Sequence, residues 1–99
     1  MWKDMEKYAE IFQKQIAEVK KQLEDSRFTG ESDDNKVLVV ANGLEEIISI
    51  SIYCDKLPYE TRKNLEQAIV KAVNNALVKV RKALKQKTED IAEGFNFPY

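Results

Sequence analysis

The sequence predicts an α+β fold in the order α-β-β-β-α, a three-stranded antiparallel meander between two long helices. Three observations predict it: an N-terminal block with apolar residues alternately three and four apart, an Asn-Gly pair between two β-like runs, and a C-terminal block with a broad apolar stripe at helical spacing. At 99 residues, 43% apolar and 33% charged, the chain is expected to form one domain over residues 1–99, too short for two independent cores.

The first helix is expected over about residues 3–25. Trp2, Met5, Ala9, Phe12, Ile16, Val19 and Leu23 form the seam of a left-handed coiled coil, and Glu10 with Lys14 adds a favourable pair one turn apart. A helix of this length, roughly 35 Å at ~1.5 Å per residue, needs a partner for its stripe.

The strands are expected over about residues 27–31, 36–41 and 45–53. Arg27 to Glu31 reaches the other two through a break at Gly30 and the polar turn "SDDN". Val37 to Val40 is β-branched, Asn42-Gly43 fits a two-residue type I′ turn, and the returning strand alternates with Ile48, Ile50 and Ile52 on one face. Ile47, Ser49, Ser51 and Tyr53 then take the other face.

The second helix is expected over about residues 59–93, with Pro58 near its first turn, followed by a short aromatic tail over 94–99. Leu65, Ile69, Ala72, Val73, Ala76, Leu77, Val80 and Leu84 share one face, and Lys87 thins the stripe late in the helix. One small sheet is too narrow to cover both helical stripes along their lengths. Self-association resolves this, with a second copy supplying an edge for the sheet and a mate for the seam. The expected contacts are Met5, Phe12, Ile16, Val19, Ile48, Ile50 and Ile52.

Net charge is −1 and the isoelectric point is near 5.5, which is not the usual footprint of a nucleic-acid binder. The distribution of charge differs from its sum. No acid lies between Glu66 and Glu89, whereas Lys71, Lys79, Arg81, Lys82, Lys85 and Lys87 do. Acids concentrate instead between Glu31 and Glu60, in the sheet region. Lys71, Lys82 and Lys85 fall opposite the apolar stripe beside Asn74, Asn75 and Val78, and Lys7, Lys14 and Lys21 take the outermost heptad position of the first helix. Such faces fit both a solvated helix surface and contact with phosphates. Arg27, Arg62 and Arg81 are the only arginines, so bidentate recognition of guanine has few candidates.

Several function classes are disfavoured. The chain has no histidine and one cysteine, Cys54, which rules out an internal disulfide and makes a metal site or cofactor unexpected. Asp55 beside Cys54 opposes thiolate formation, Glu45 and Glu46 point to opposite faces of a strand, and Gly30, Gly43 and Gly94 are too scattered for a phosphate loop. Neither catalysis nor a small-molecule substrate is expected. The acidic "GESDD" stretch lacks the glutamate that a calcium loop places twelfth, since Leu44 stands there counting from Asp33. No apolar run approaches ~18 residues and the N-terminus is charged, so a cytoplasmic protein without membrane contact is expected.

The segments "FTGES", "VLVVANG", the Ile-rich returning strand, "VNNAL" and "GFNFPY", in this order along nearly the whole chain, resemble the YbaB/EbfC family of bacterial nucleoid-associated proteins. The chain departs from that family in an N-terminal helix rich in Lys and Glu, where Met and Gln are frequent, and in lacking Asp-Pro after the last strand. The resemblance implies a tweezer-shaped homodimer that binds double-stranded DNA on the nucleoid. It turns Lys7, Lys14, Lys21, Lys71, Arg81, Lys82 and Lys85 into candidate DNA contacts. The alternative is a dimeric adaptor that takes a protein partner on its exposed helices and aromatic tail.

Overall fold

A computed structural model describes residues 2–53 and 61–94 of the chain, with side chains over 4–53 and 61–90. The elements are α1 (Trp2–Asp25), β1 (Phe28–Glu31), β2 (Val37–Ala41), β3 (Ile47–Ile52) and α2 (Arg62–Gly94). Their order is the expected α-β-β-β-α, and the strands form an antiparallel sheet in the order β1-β2-β3. Cys54, Pro58 and the aromatic tail from Phe95 onward lie outside the described residues, as do residues 59–60 of the expected second helix.

Helix α1 ends where its last carbonyls find local donors. The Ser26 hydroxyl donates to the Gln22 carbonyl at 2.7 Å, and Arg27 Nη1 donates to the carbonyls of Glu24 at 2.8 Å and Ser26 at 2.9 Å. A guanidinium at this end also opposes the negative end of the helix dipole. Helix α2 starts from Thr61, whose Oγ1 accepts the Asn64 amide at 3.2 Å and whose carbonyl accepts the Leu65 amide at 3.1 Å, an N-cap arrangement.

The core lies between α2 and the first two strands. Val37, Val39 and Ala41 of β2 and Ala72, Ala76 and Val80 of α2 are fully buried, with Phe28, Leu65, Ile69, Val73 and Leu84 packed around them. The alanine row lets the helix settle onto the sheet backbone. Gly30, expected as a break, is instead a paired residue of β1 opposite Val39. A Cβ there would stand 2.2 Å from the Ala72 carbonyl oxygen and 2.3 Å from the Ala76 nitrogen. Glycine is required by this backbone-on-backbone approach.

Five residues, 42–46, connect β2 to β3, so the expected type I′ turn at Asn42-Gly43 is not formed. Gly43 has no positive φ; Glu45 does, at 63°. The buried Asn42 side chain organises the connection, its Oδ1 accepting the amides of Leu44 and Glu46, both at 3.0 Å, and its Nδ2 donating to Glu46 Oε1 at 2.8 Å. Gly43 meets α1 instead. Its amide donates to the Leu23 carbonyl at 2.7 Å, and a Cβ would lie 2.8 Å from that oxygen. The tertiary contact overrides the local turn preference.

The register carries a second correction. Val40 pairs with Ser49 but Ala41 pairs with Ile47, so an irregularity inserts Ile48 between them. Ile47, Ile50 and Ile52, rather than Ile48, Ile50 and Ile52, stand opposite the core residues Ala41, Val39 and Val37. Burial does not follow this pairing. Val39 and Val37 are 0% exposed, whereas their partners Ile50 and Ile52 remain 46% and 36% exposed, because α2 packs on β1 and β2 and leaves β3 uncovered.

Between β1 and β2 the turn is held by Ser32, Asp34 and Asn35. The Asn35 amide donates to the Ser32 carbonyl at 3.0 Å, and Asn35 takes the left-handed conformation, φ 58°, that Asn tolerates. The buried Lys36 ammonium lies 2.9 Å from Asp34 Oδ2, and the Ser32 hydroxyl donates to Asp34 Oδ1 at 2.9 Å. The Lys36 contact, helped by Ser32, holds the Asp34 carboxyl at about 2, against an ordinary 3.8.

Two outcomes follow from these contacts. Replacing Gly30 with Ala should cost about 3 kcal/mol or more in urea unfolding, because the neighbours at 2.2 and 2.3 Å are backbone atoms with little room to yield. Asp34, with its folded pKa below the unfolded one, contributes stability present above pH ~4 and lost as pH falls toward about 2. Carboxyl-carbon NMR should give a midpoint near 2 for Asp34, and Lys36→Met should move that midpoint upward.

Candidate nucleic-acid interface

Helix α2 has two unlike sides. One is set by the alanines and Val80 against the sheet, and the other is formed by residues one or two turns apart that reach solvent. Lys71, Arg81, Lys82 and Lys85 are all exposed on it, as are Lys7, Lys14 and Lys21 on α1. Every residue that the sequence marks as a DNA contact is therefore accessible in the single chain.

The cations differ in their neighbours. Arg81 Nε donates to Glu45 Oε1 at 3.1 Å, an exposed ion pair that crosses from the helix to the β2–β3 connection. Lys71 lines a polar crevice with Asp33, Asp34 and Lys36, where the β1–β2 turn meets the start of α2. The remaining candidates, Lys7, Lys14, Lys21, Lys82 and Lys85, make no ion pair among the described residues. Two of the seven thus sit within reach of acids that the sequence places far away.

Sequence reasoning missed two tethers. Asn75 Nδ2 donates to the Glu31 carbonyl at 2.7 Å, which ties the middle of α2 to the free edge of β1. Lys87 Nζ donates to Gln22 Oε1 at 3.1 Å and joins α2 to the end of α1. Both link residues more than forty positions apart, a distance at which residue spacing gives no signal.

The expected association surfaces are open. Met5 is 71% exposed, Phe12 62% and Ile16 51%, while Val19 is half-buried. Phe12, Ile16, Val19 and Leu23 line an apolar groove together with Leu44 of the β2–β3 connection. On the sheet, Ile48, Ile50 and Ile52 are exposed along the outer strand. The protein extends over 69 × 29 × 16 Å with a radius of gyration of 19.8 Å, well above the ~13 Å of a globular chain this long.

Among the described residues no group of His, Cys, Asp and Glu is arranged to hold a metal ion, and no helix is long and apolar enough to cross a membrane.

Comparison with known proteins adds to this geometry. A model of the YbaB/EbfC DNA-binding family matches residues 1–95. A nucleoid-associated protein of Caldanaerobacter subterraneus is 30% identical, over 96% of this chain and 86% of its own. One from Myxococcus xanthus is 35% identical, over 84% of this chain and 79% of its own. The crystal structure of an uncharacterized Helicobacter pylori protein, 18% identical, superposes with a TM-score of 0.73 over 89% of this chain and 92% of that one, and shows the same fold. With the family's sequence pattern running along nearly its whole length, and two helices set about a three-stranded meander, the chain belongs to the YbaB/EbfC DNA-binding family.

Proposed function

We propose that this protein is a homodimer that binds double-stranded DNA, mainly by salt-sensitive phosphate contacts from the basic outer faces of α1 and α2. It works on the nucleoid in the cytoplasm, in chromosome organisation or gene regulation, and has no catalytic role. The observation that carries this reading is the outer face of α2, where Lys82 and Lys85 are exposed and no acid lies between Glu66 and Glu89. Family membership and the nucleoid-associated relatives point the same way.

Dimerisation is supported by what the single chain leaves uncovered. The α1 seam and the outer strand β3 are apolar and open in the same molecule, and an unpaired apolar edge strand invites another chain. A second copy covers both, removing Met5, Phe12, Ile16 and Val19 together with Ile48, Ile50 and Ile52 from water. Lysine suits the phosphate role as a point charge that positions the protein without reading sequence. The acidic connections, with Glu45 on Arg81 and Asp33 near Lys71, moderate that attraction and agree with a net charge of −1.

Fluorescence anisotropy with an arbitrary duplex tests the DNA contact. If a dimer neutralises about six phosphates, raising salt from ~50 to ~200 mM should weaken binding roughly a thousandfold. A flat response would end the phosphate reading. Converting Lys71, Lys82 and Lys85 together to Glu should abolish duplex binding while the circular-dichroism spectrum of the folded chain is retained, since all three are exposed. For the dimer, sedimentation equilibrium at micromolar concentration should give twice the 11.5 kDa chain mass. Phe12→Asp with Ile16→Asp should shift the population toward single chains.

A further inference from the structure

Within the lysine-bearing face of α2, two residues do not suit a purely electrostatic contact. Asn74 is exposed, and its side chain has no hydrogen-bond partner among the described residues, whereas the adjacent Asn75 is tied to the Glu31 carbonyl. One turn further on, Val78 is 61% exposed. An isolated exposed valine is ordinary. An exposed valine one turn from an unpartnered amide, with lysines before and after them on the same face, is a more specific arrangement. Lys71, Asn74, Val78, Lys82 and Lys85 follow one another at spacings of three, four, four and three residues, a single line along the helix.

We infer that this line enters the DNA major groove, with Asn74 reading adenine and Val78 packing on a thymine methyl, so that the protein prefers sites containing A·T pairs. The inference rests on the DNA-binding reading above and adds a sequence preference to it. Its dimensions agree with the groove. A groove ~12 Å wide admits one α-helix, and Asn74 and Val78 lie ~6 Å apart along its axis, close to the ~7 Å of two base-pair steps at ~3.4 Å each. Lys71 and Lys82 lie ~16 Å apart, one on each side of that pair along the axis, where their long flexible side chains extend to backbone phosphates.

The chemistry agrees as well. A carboxamide offers one donor and one acceptor, which match adenine N7 and N6-H2, and an aliphatic side chain matches only the C5 methyl of thymine in that groove. Guanine presents two acceptors, N7 and O6, in place of adenine's acceptor and donor, so the bidentate match is lost on a G·C pair, which also has no methyl group. The face is free of acids, so a phosphate-lined groove meets no repulsion from the helix itself. Val70, 59% exposed on the other flank of the helix, is left outside this line.

Anisotropy titrations of the full chain at one fixed salt concentration test the inference with two duplexes of equal length, one rich in A·T pairs and one entirely G·C. The wild type should prefer the A·T duplex by roughly five- to a hundredfold, the range of a bidentate amide contact. Asn74→Ala should remove most of that preference while leaving the G·C affinity and the salt slope unchanged. Replacing thymine with uracil deletes the methyl and should weaken wild-type binding about fourfold per contact, with a smaller effect on Val78→Ala.

Replacing adenine with 7-deazaadenine deletes N7, and separates major-groove reading from a preference for the narrow minor groove of A·T tracts. Binding of both duplexes with equal affinity overturns the inference and leaves the DNA-binding reading standing. A preference that survives Asn74→Ala or ignores both base analogues overturns it too. So does a fall in sedimentation mass on Asn74→Ala or Val78→Ala, which makes this face a subunit contact. Failure to bind either duplex removes the DNA-binding reading itself, and this inference with it.

Discussion

The approach of β1 to α2 at Gly30 fixes the architecture. Two backbones meet where a single Cβ would stand 2.2 Å from the Ala72 carbonyl oxygen, and the alanine row on the helix keeps its own side chains out of the way. A helix held that close to β1 covers β1 and β2 and extends no further. The burial contrast across the β2–β3 ladder results from this placement: Val39 is fully buried and its partner Ile50 is 46% exposed, on the same face of the same sheet. The outer side of α2 is determined by the same contact, since the residues opposite the alanines must face solvent. An open strand suited to another copy and a basic face suited to an acidic polymer are therefore two results of one close approach.

Much of this was legible in the sequence because it depends on periodicity. The alternating three-four seam of α1, the β-branched runs and the stripe of α2 each announce an element, and the helical projection places Lys82 and Lys85 opposite the core without any knowledge of the sheet. Glycine was harder to read. Asn42-Gly43 suggests a tight turn through local preference, but Gly43 is used to let the Leu23 carbonyl reach its amide, and the positive φ falls on Glu45. Gly30 suggests a break and turns out to be a packing contact. In both cases the determinant is the approach of another element, which residue spacing does not encode. The bulge at Ile48 is hidden for a related reason, since the run Ile47-Ile48 satisfies either register until pairing with Ala41 selects one.

The candidate interface shows the same division. Exposure of the cations follows from the helix alone, but their electrostatic surroundings come from loops remote in sequence. Glu45 reaches Arg81, and the turn bearing Asp33 and Asp34 borders Lys71. Exposed ion pairs of this kind contribute about 0–1 kcal/mol and are readily exchanged for another anion. The acids of these loops thus offset Arg81 and Lys71, while Lys82 and Lys85 make no ion pair among the described residues. Chain-wide net charge is a poor guide here, because it averages over surfaces that face different ways.

The anchoring of α1 has a geometric consequence. The Gly43 amide on the Leu23 carbonyl and Lys87 on Gln22 both hold the helix near its C-terminal end, and the residues from Asp4 to Glu18 are exposed. The span from Met5 to Leu23 is ~27 Å, so in the single chain, before a second copy packs on its seam, it is a lever with its fulcrum beside the β2–β3 connection. A tilt of about ten degrees at that fulcrum displaces the far tip by ~5 Å, more than the ~3.4 Å rise of one base pair along a duplex strand. The reach of α1 is consequently set at its anchored end, by the Gly43 amide and Lys87, rather than among the lysines it carries.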